Sequence, residues 1–169
     1  MAALRFGAFR GGIETVLKSV LVVCVGNICR SPLGERMLQD ALQGSGITVA
    51  SCGIAAVVGH GADATAATVA AEAGVTLDGH VARQFTPEIG KAHDLILVME
   101  PGHKREIARL SPELSGRIML FDHWTGGTGI ADPYRQPRAF HEDVHARLAA
   151  AADAWAAKLA PARRQQVSG

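Results

Sequence analysis

The chain has 169 residues, about the length of one domain. Its 48% hydrophobic and 20% charged residues exclude a disordered chain. A balance of 17 Lys+Arg against 16 Asp+Glu argues against a general nucleic-acid binder, which would carry a basic excess on one face. No apolar run reaches the roughly 18 residues needed to cross a membrane as a helix. Cys24, Cys29 and Cys52 are the only cysteines. So sparse and odd a set is no disulfide framework and fits a cytoplasmic protein. Residues 1–18 contain no continuous apolar stretch and read as a loosely ordered extension rather than a signal peptide. The folded domain is expected over 19–160, with a tail at 161–169.

Strand and helix patterns alternate along the chain. Ser19 to Cys24 is a short β-branched run, as in a strand buried on both faces. A loop follows from Val25 to Arg30. Met37, Leu38, Ala41 and Leu42 recur at helical spacing, and Gly44 ends that helix. Ile47 to Cys52 predicts a second strand. Asp63 can cap a helix carrying Val69, Ala70 and Ala73, closed by Gly74. Asp94 to Met99 predicts a third strand, Pro101 to Leu110 a short helix, and Arg117 to Phe121 a fourth strand. From Arg138 onward, Phe140, Val144, Leu148, Ala151, Trp155 and Leu159 mark one stripe of a long helix. The expected fold is therefore α/β: a single domain with a four-stranded parallel sheet and helices on both faces. Ligands bind beyond the carboxyl ends of such strands, where the loop after Cys24 lies.

That loop, Cys24-Val-Gly-Asn-Ile-Cys-Arg-Ser31, carries the candidate chemistry. Gly26 and Asn27 tolerate positive φ, so the chain can curl. A curled loop turns successive N–H groups inward as an anion nest. The helix opened by Ser31-Pro32 adds its positive end, and Arg30 offers a planar fork matched to phosphate oxygens. Such surroundings favour the thiolate of Cys24. The Gly-Lys-Ser/Thr ending of a nucleotide P-loop is absent. A bare Cys-x5-Arg would be read as a core cysteine at a strand end. The preceding strand, the Gly-Asn turn and the Ser-Pro after the arginine favour a nucleophile aimed at a bound phosphate.

Val23-Cys-Val-Gly-Asn-Ile-Cys-Arg-Ser-Pro32 resembles the phosphate-binding loop of the low-molecular-weight protein tyrosine phosphatases. The resemblance extends to Asp132-Pro133-Tyr134 and to Gly79-His80-Val-Ala-Arg83-Gln84. The loop Gly53 to Gly59 and the segment Leu120-Phe-Asp-His-Trp124 look most like the bacterial subgroup, associated with capsule and exopolysaccharide export. The resemblance implies roles residue by residue. Cys24 would be the nucleophile, forming a phosphocysteine. Val25, Gly26, Asn27, Ile28, Cys29 and Arg30 would bind the phosphate, with Arg30 stabilising the transition state. Asp132 would protonate the leaving phenolate and then take a proton from water. Ser31, Ser51 and His80, with Asn27, would hold the loop. Tyr134 would flank the substrate ring, and Val57 and Val58 lie where relatives carry an aromatic wall. The implied partner is a phosphotyrosine protein, a bacterial tyrosine kinase, with no cofactor, no metal, no nucleic acid and no membrane insertion.

Other readings of these residues compete. Asp132-Pro133 alone is a turn, His80 alone a loop histidine, and Cys52 a small core residue. His141-Glu-Asp-Val-His145 matches the zinc pattern H-E-x-x-H. Its histidines are expected about 100° from the Phe140/Val144 stripe, facing solvent, with no third ligand nominated nearby. A thiol-dependent arsenate reductase would resolve its intermediate with a later cysteine pair, and no cysteine follows Cys52. A non-catalytic phosphotyrosine-binding module would need neither nucleophile nor acid. Finally, Cys24 and Cys29 share one curled loop, so peroxide is expected to join them reversibly.

Overall fold

The structure, a computed structural model, describes residues 16–161; the expected extension and tail fall largely outside them. Four strands, β1 (Ser19–Cys24), β2 (Thr48–Gly53), β3 (Leu95–Val98) and β4 (Ile118–Leu120), form one sheet in the order β2-β1-β3-β4. Every pairing is parallel: Val22 stands opposite Ser51 on one side and Leu97 on the other. The expected α/β fold is observed, with strand limits within one or two residues of those read from the sequence.

Alternation along the two central strands divides the core in two. Val20, Val22 and Cys24 of β1, with Leu95 and Leu97 of β3, face α1 (Arg30–Ala41), α2 (Ala64–Glu72) and a long terminal helix, Arg138–Leu159. Leu21, Val23, Ile96 and Val98 face the opposite layer. That layer contains α3 (Pro87–Lys91), α4 (Pro101–Leu110) and a 3₁₀ turn at Pro112–Arg117; the terminal helix is α5. Both faces of β1 and β3 are thus covered, which is why they read as unbroken apolar runs. Asp63 caps α2 as expected, its carboxylate accepting from Ala66 N at 3.0 Å.

α1 packs closely over Phe121, just past the end of β4, because position 34 is a glycine. A Cβ on Gly34 would come within 3.2 Å of the Phe121 ring. Beneath α5, Trp155 is fully buried and its Nε1 donates to Phe121 O at 2.8 Å. The Trp124 ring packs edge-on against it, centroids 5.6 Å apart, and Lys158 Nζ lies 4.6 Å over Trp124.

The structure corrects the register of α5. Phe140 is exposed, whereas His141 is buried. The inward seam runs His141, Val144, Leu148, Ala151, Ala152 and Trp155. Positions 140 and 141 both lie one helical turn before Val144, so apolarity alone favoured Phe140. His141 shares the seven-residue spacing of Leu148 and Trp155 and stays on the seam, so the pair His141/His145 does not face solvent together.

Candidate active site

The loop from Cys24 to Arg30 joins β1 to α1 where the strand order turns from β2 on one side to β3 on the other, the usual ligand crevice of an open parallel sheet. Its carbonyls all point outward. Those of Cys24, Val25 and Gly26 accept from Ile54 N, Ala55 N and Val57 N, each at 3.0 Å, and that of Ile28 accepts from Asp63 N at 2.8 Å. Cys29 O accepts from Leu33 N at 3.4 Å. His80 Nε2 donates to Asn27 O at 2.6 Å. Among the described residues, no carbonyl takes the N–H groups of residues 25–29. A run of unclaimed N–H groups at a helix N-terminus is an anion-binding cradle.

Two backbone features make the curl possible. Asn27 adopts φ 56°, a left-handed conformation that asparagine tolerates better than most residues. Gly53 passes so close beneath the loop that a Cβ there would stand 2.3 Å from Val25 O.

Asn27 also organises the floor. Its side chain is fully buried, and its Oδ1 accepts from Arg83 N at 3.0 Å. That bond fixes the amide so that Nδ2 donates to Ser31 Oγ at 2.8 Å and to Ser51 Oγ at 3.0 Å. Ser31, having accepted from Asn27, is free to give its own proton to Cys24 Sγ, 2.9 Å away. Every polar atom of the amide is satisfied, as a buried network requires. Arg83 adds a second tie, from Nε to Ser51 O at 2.9 Å.

Arg30 is almost completely buried. Its Nη1 donates to Glu100 Oε1 and, at 2.8 Å, to Ile130 O. Nη2 lies 3.6 Å from Asp132 Oδ2. Among the described residues Nε has no partner, an expensive condition for a buried charged donor unless an anion meets it. Glu100 is itself steadied by His103: Glu100 N donates to His103 Nδ1 at 3.2 Å. Burial, helped by the nearby Arg30 cation, holds His103 below the ordinary histidine range, which suits its role as acceptor. Asp132 is half-exposed, and its Oδ1 accepts from Tyr134 N at 3.0 Å.

A profile of the low molecular weight phosphotyrosine protein phosphatases matches residues 19–165. The low molecular weight protein-tyrosine-phosphatase Etp of Escherichia coli K12 is 47% identical over 141 residues, 83% of this chain and 94% of Etp. The chain belongs to this phosphatase family. Among solved structures, Vibrio vulnificus Wzb in complex with benzylphosphonate is 46% identical, with a TM-score of 0.81, covering 85% of this chain and 99% of that one. The tyrosine phosphatase Wzb of Escherichia coli K30, in complex with sulphate, is 42% identical, with a TM-score of 0.82 and the same coverage of each chain.

In this phosphatase the sequence-read residues converge. Cys24, Ser31, Asn27, Ser51 and His80 form one hydrogen-bonded cluster; Arg30, at the end of the same loop, is tied instead to Glu100 and Ile130 O and stands 3.6 Å from Asp132. Val57 abuts the loop through its N–H bond to Gly26 O; Val57, Val58 and Tyr134 are exposed, as surfaces meeting a substrate ring would be. Glu100 and Arg83 were not read from the sequence. A single glutamate after a strand carries no spacing signal. Arg83 stood in a quoted motif without a role. Burial pushes the Cys52 thiol up to about 12 and pushes the Cys29 thiol up as well, which keeps both protonated near neutrality.

Proposed function

We propose that Cys24, Arg30 and Asp132 hydrolyse phosphotyrosine on proteins within the domain 19–160. The observation that carries this reading is the loop's outward carbonyls and unclaimed N–H groups, closed by the unpartnered Nε of Arg30. Cys24 Sγ attacks phosphorus as the phosphorus–oxygen bond to tyrosine breaks, and Asp132 gives its proton to the departing phenolate. Water then attacks the phosphocysteine, yielding a proton to Asp132, and the sulfur–phosphorus bond breaks to release phosphate. The cradle and Arg30 neutralise charge on the equatorial oxygens throughout. Ser31, Ser51, Asn27 and His80 hold the loop, while Val57 and Tyr134 meet the ring. The benzylphosphonate and sulphate held by the two Wzb structures support an aryl-phosphate ligand here.

The resemblance to the exopolysaccharide-associated subgroup supports a tyrosine kinase of the same cell as substrate, met in the cytoplasm. Among the described residues no helix is long and apolar enough to cross a membrane. Hydrolysis of an aryl phosphate, with and without chelator and beside Cys24→Ser, tests the chemistry. Chelator should leave the rate unchanged, and the variant should lose roughly 10⁴–10⁶-fold in kcat. Activity that survives in the variant, or that requires a metal, overturns it.

A further inference from the structure

A second surface that suits an anion begins at Pro101, the residue after Glu100. An open groove of about 410 Å³ runs between α4 and β4. Pro101 and the partly buried Met119 and Leu120 make it apolar, and Lys104, Arg105 and the exposed His123 line it with cationic or protonatable groups. Among the described residues no aspartate or glutamate lines it. Several other surface cations are paired: Arg109 with Glu106 on the same helix, Lys91 with Glu113, Arg138 with Glu72 and Glu142, and Arg147 with Asp143. Glu106, the nearest carboxylate along α4, is taken by Arg109 through two bonds. Lys104 and Arg105 make no ion pair with a carboxylate among the described residues.

The groove opens near the reacting centre. Pro101 follows Glu100, which holds Arg30, and Leu120 ends β4 at the same end of the sheet as the cradle. Lys104 lies about 6 Å of helix axis beyond Glu100, a distance that two or three extended peptide residues cover at roughly 3.3 Å each. We propose that this groove docks an acidic segment of the phosphoprotein substrate flanking its phosphotyrosine. The proposal rests on the phosphatase reading above. Carboxylates of the segment meet Lys104 and Arg105, and an apolar side chain covers Pro101, Met119 and Leu120. Such a contact draws the substrate in and sets its direction without touching the bond that breaks.

The test compares three probes: p-nitrophenyl phosphate and two phosphotyrosine peptides of equal length. One peptide carries glutamates and a leucine on both sides of the phosphotyrosine; the other carries serine and glutamine there. The wild type should prefer the acidic peptide about tenfold in kcat/KM, chiefly through KM, and salt should shrink that preference. Lys104→Glu/Arg105→Glu should abolish the preference and leave p-nitrophenyl phosphate unchanged. The milder Lys104→Ala/Arg105→Ala should lie between. Equal use of the two peptides by the wild type, or a preference that survives both variants, overturns the docking proposal alone. Failure of the wild type on all three probes overturns the phosphatase reading beneath it.

Discussion

Two loops meet at Arg30, and they are built on opposite plans. The loop from Cys24 to Ser31 is sunk into the protein, with Asn27, Arg30 and Ser31 all but fully buried and every carbonyl tied outward. The segment from Ile130 to Arg135 is anchored mainly at its start, where Ile130 N donates to Met99 O at 2.8 Å and Ile130 O receives Arg30. Beyond that anchor, Asp132, Tyr134 and Arg135 are exposed, with Arg135 in the left-handed region at φ 61°. The contrast follows from what each loop meets. Phosphate is the same in every substrate, so its receptor gains by being rigid before the substrate arrives. In the proposed mechanism Asp132 meets a leaving group carried on a protein surface and exchanges its proton with water, which accords with a position where both have access.

Separating the two loops experimentally should give graded losses. The largest is expected at Asp132→Asn, which keeps the Tyr134 bond but cannot supply a proton: turnover of a phosphotyrosine peptide should fall about 10²–10⁴-fold. The loss should shrink on an aryl phosphate with a more acidic phenol. Equal losses on both would make Asp132 a scaffold residue. Gly53→Ala comes next. Its methyl collides with Val25 O, and a cradle displaced by about 1 Å should cost on the order of 10²-fold in kcat on every substrate alike. Gly116→Ala, whose methyl meets nothing within 4 Å, is the control. A Gly53→Ala enzyme of normal activity would mean the loop is softer than its bonding implies.

The smallest effect is expected in redox protection. After mild peroxide, Cys24 as a sulfenic acid can condense with the Cys29 thiol, forming a disulfide and releasing water. Burial keeps Cys29 protonated near neutrality, so the step should be slow and should quicken as pH rises. Wild type should then recover more activity on thiol treatment than Cys29→Ser and show a Cys24–Cys29 cross-link by mass spectrometry. Equal recovery with no cross-link would leave Cys29 a packing residue.

Features carried by local chemistry were legible in the sequence. The strands β1 and β3 announced themselves because burial on both faces demands uninterrupted β-branched and aliphatic residues. The cradle was legible because Gly26, Asn27, Arg30 and Pro32 each answer a separate local requirement at fixed spacing. What escaped depends on three-dimensional return of the chain. Glu100 reaches Arg30 across 70 positions, and neither residue hints at the other. The five-residue α3 was missed although Thr86 accepts from Ile89 N at 3.2 Å and Pro87 opens it; so short a helix shows no period. In α5 the choice between Phe140 and His141 turned on which neighbour continues the seam, which hydrophobicity alone ranks wrongly.

The edge-on pair of indoles, Trp124 and Trp155, gives the molecule its own optical gauge. Trp124 and Trp155 are its only tryptophans, and their 5.6 Å separation lets excitation pass between them, so emission reports essentially one locality. The sealed setting of Trp155 favours blue emission, and unfolding would shift it red as water reaches the ring. The gauge reads the union of α5 with the strand ends through Phe121 O and involves none of Cys24, Arg30 or Asp132. A silent variant whose emission stays blue has lost chemistry; one whose emission reddens has lost its fold.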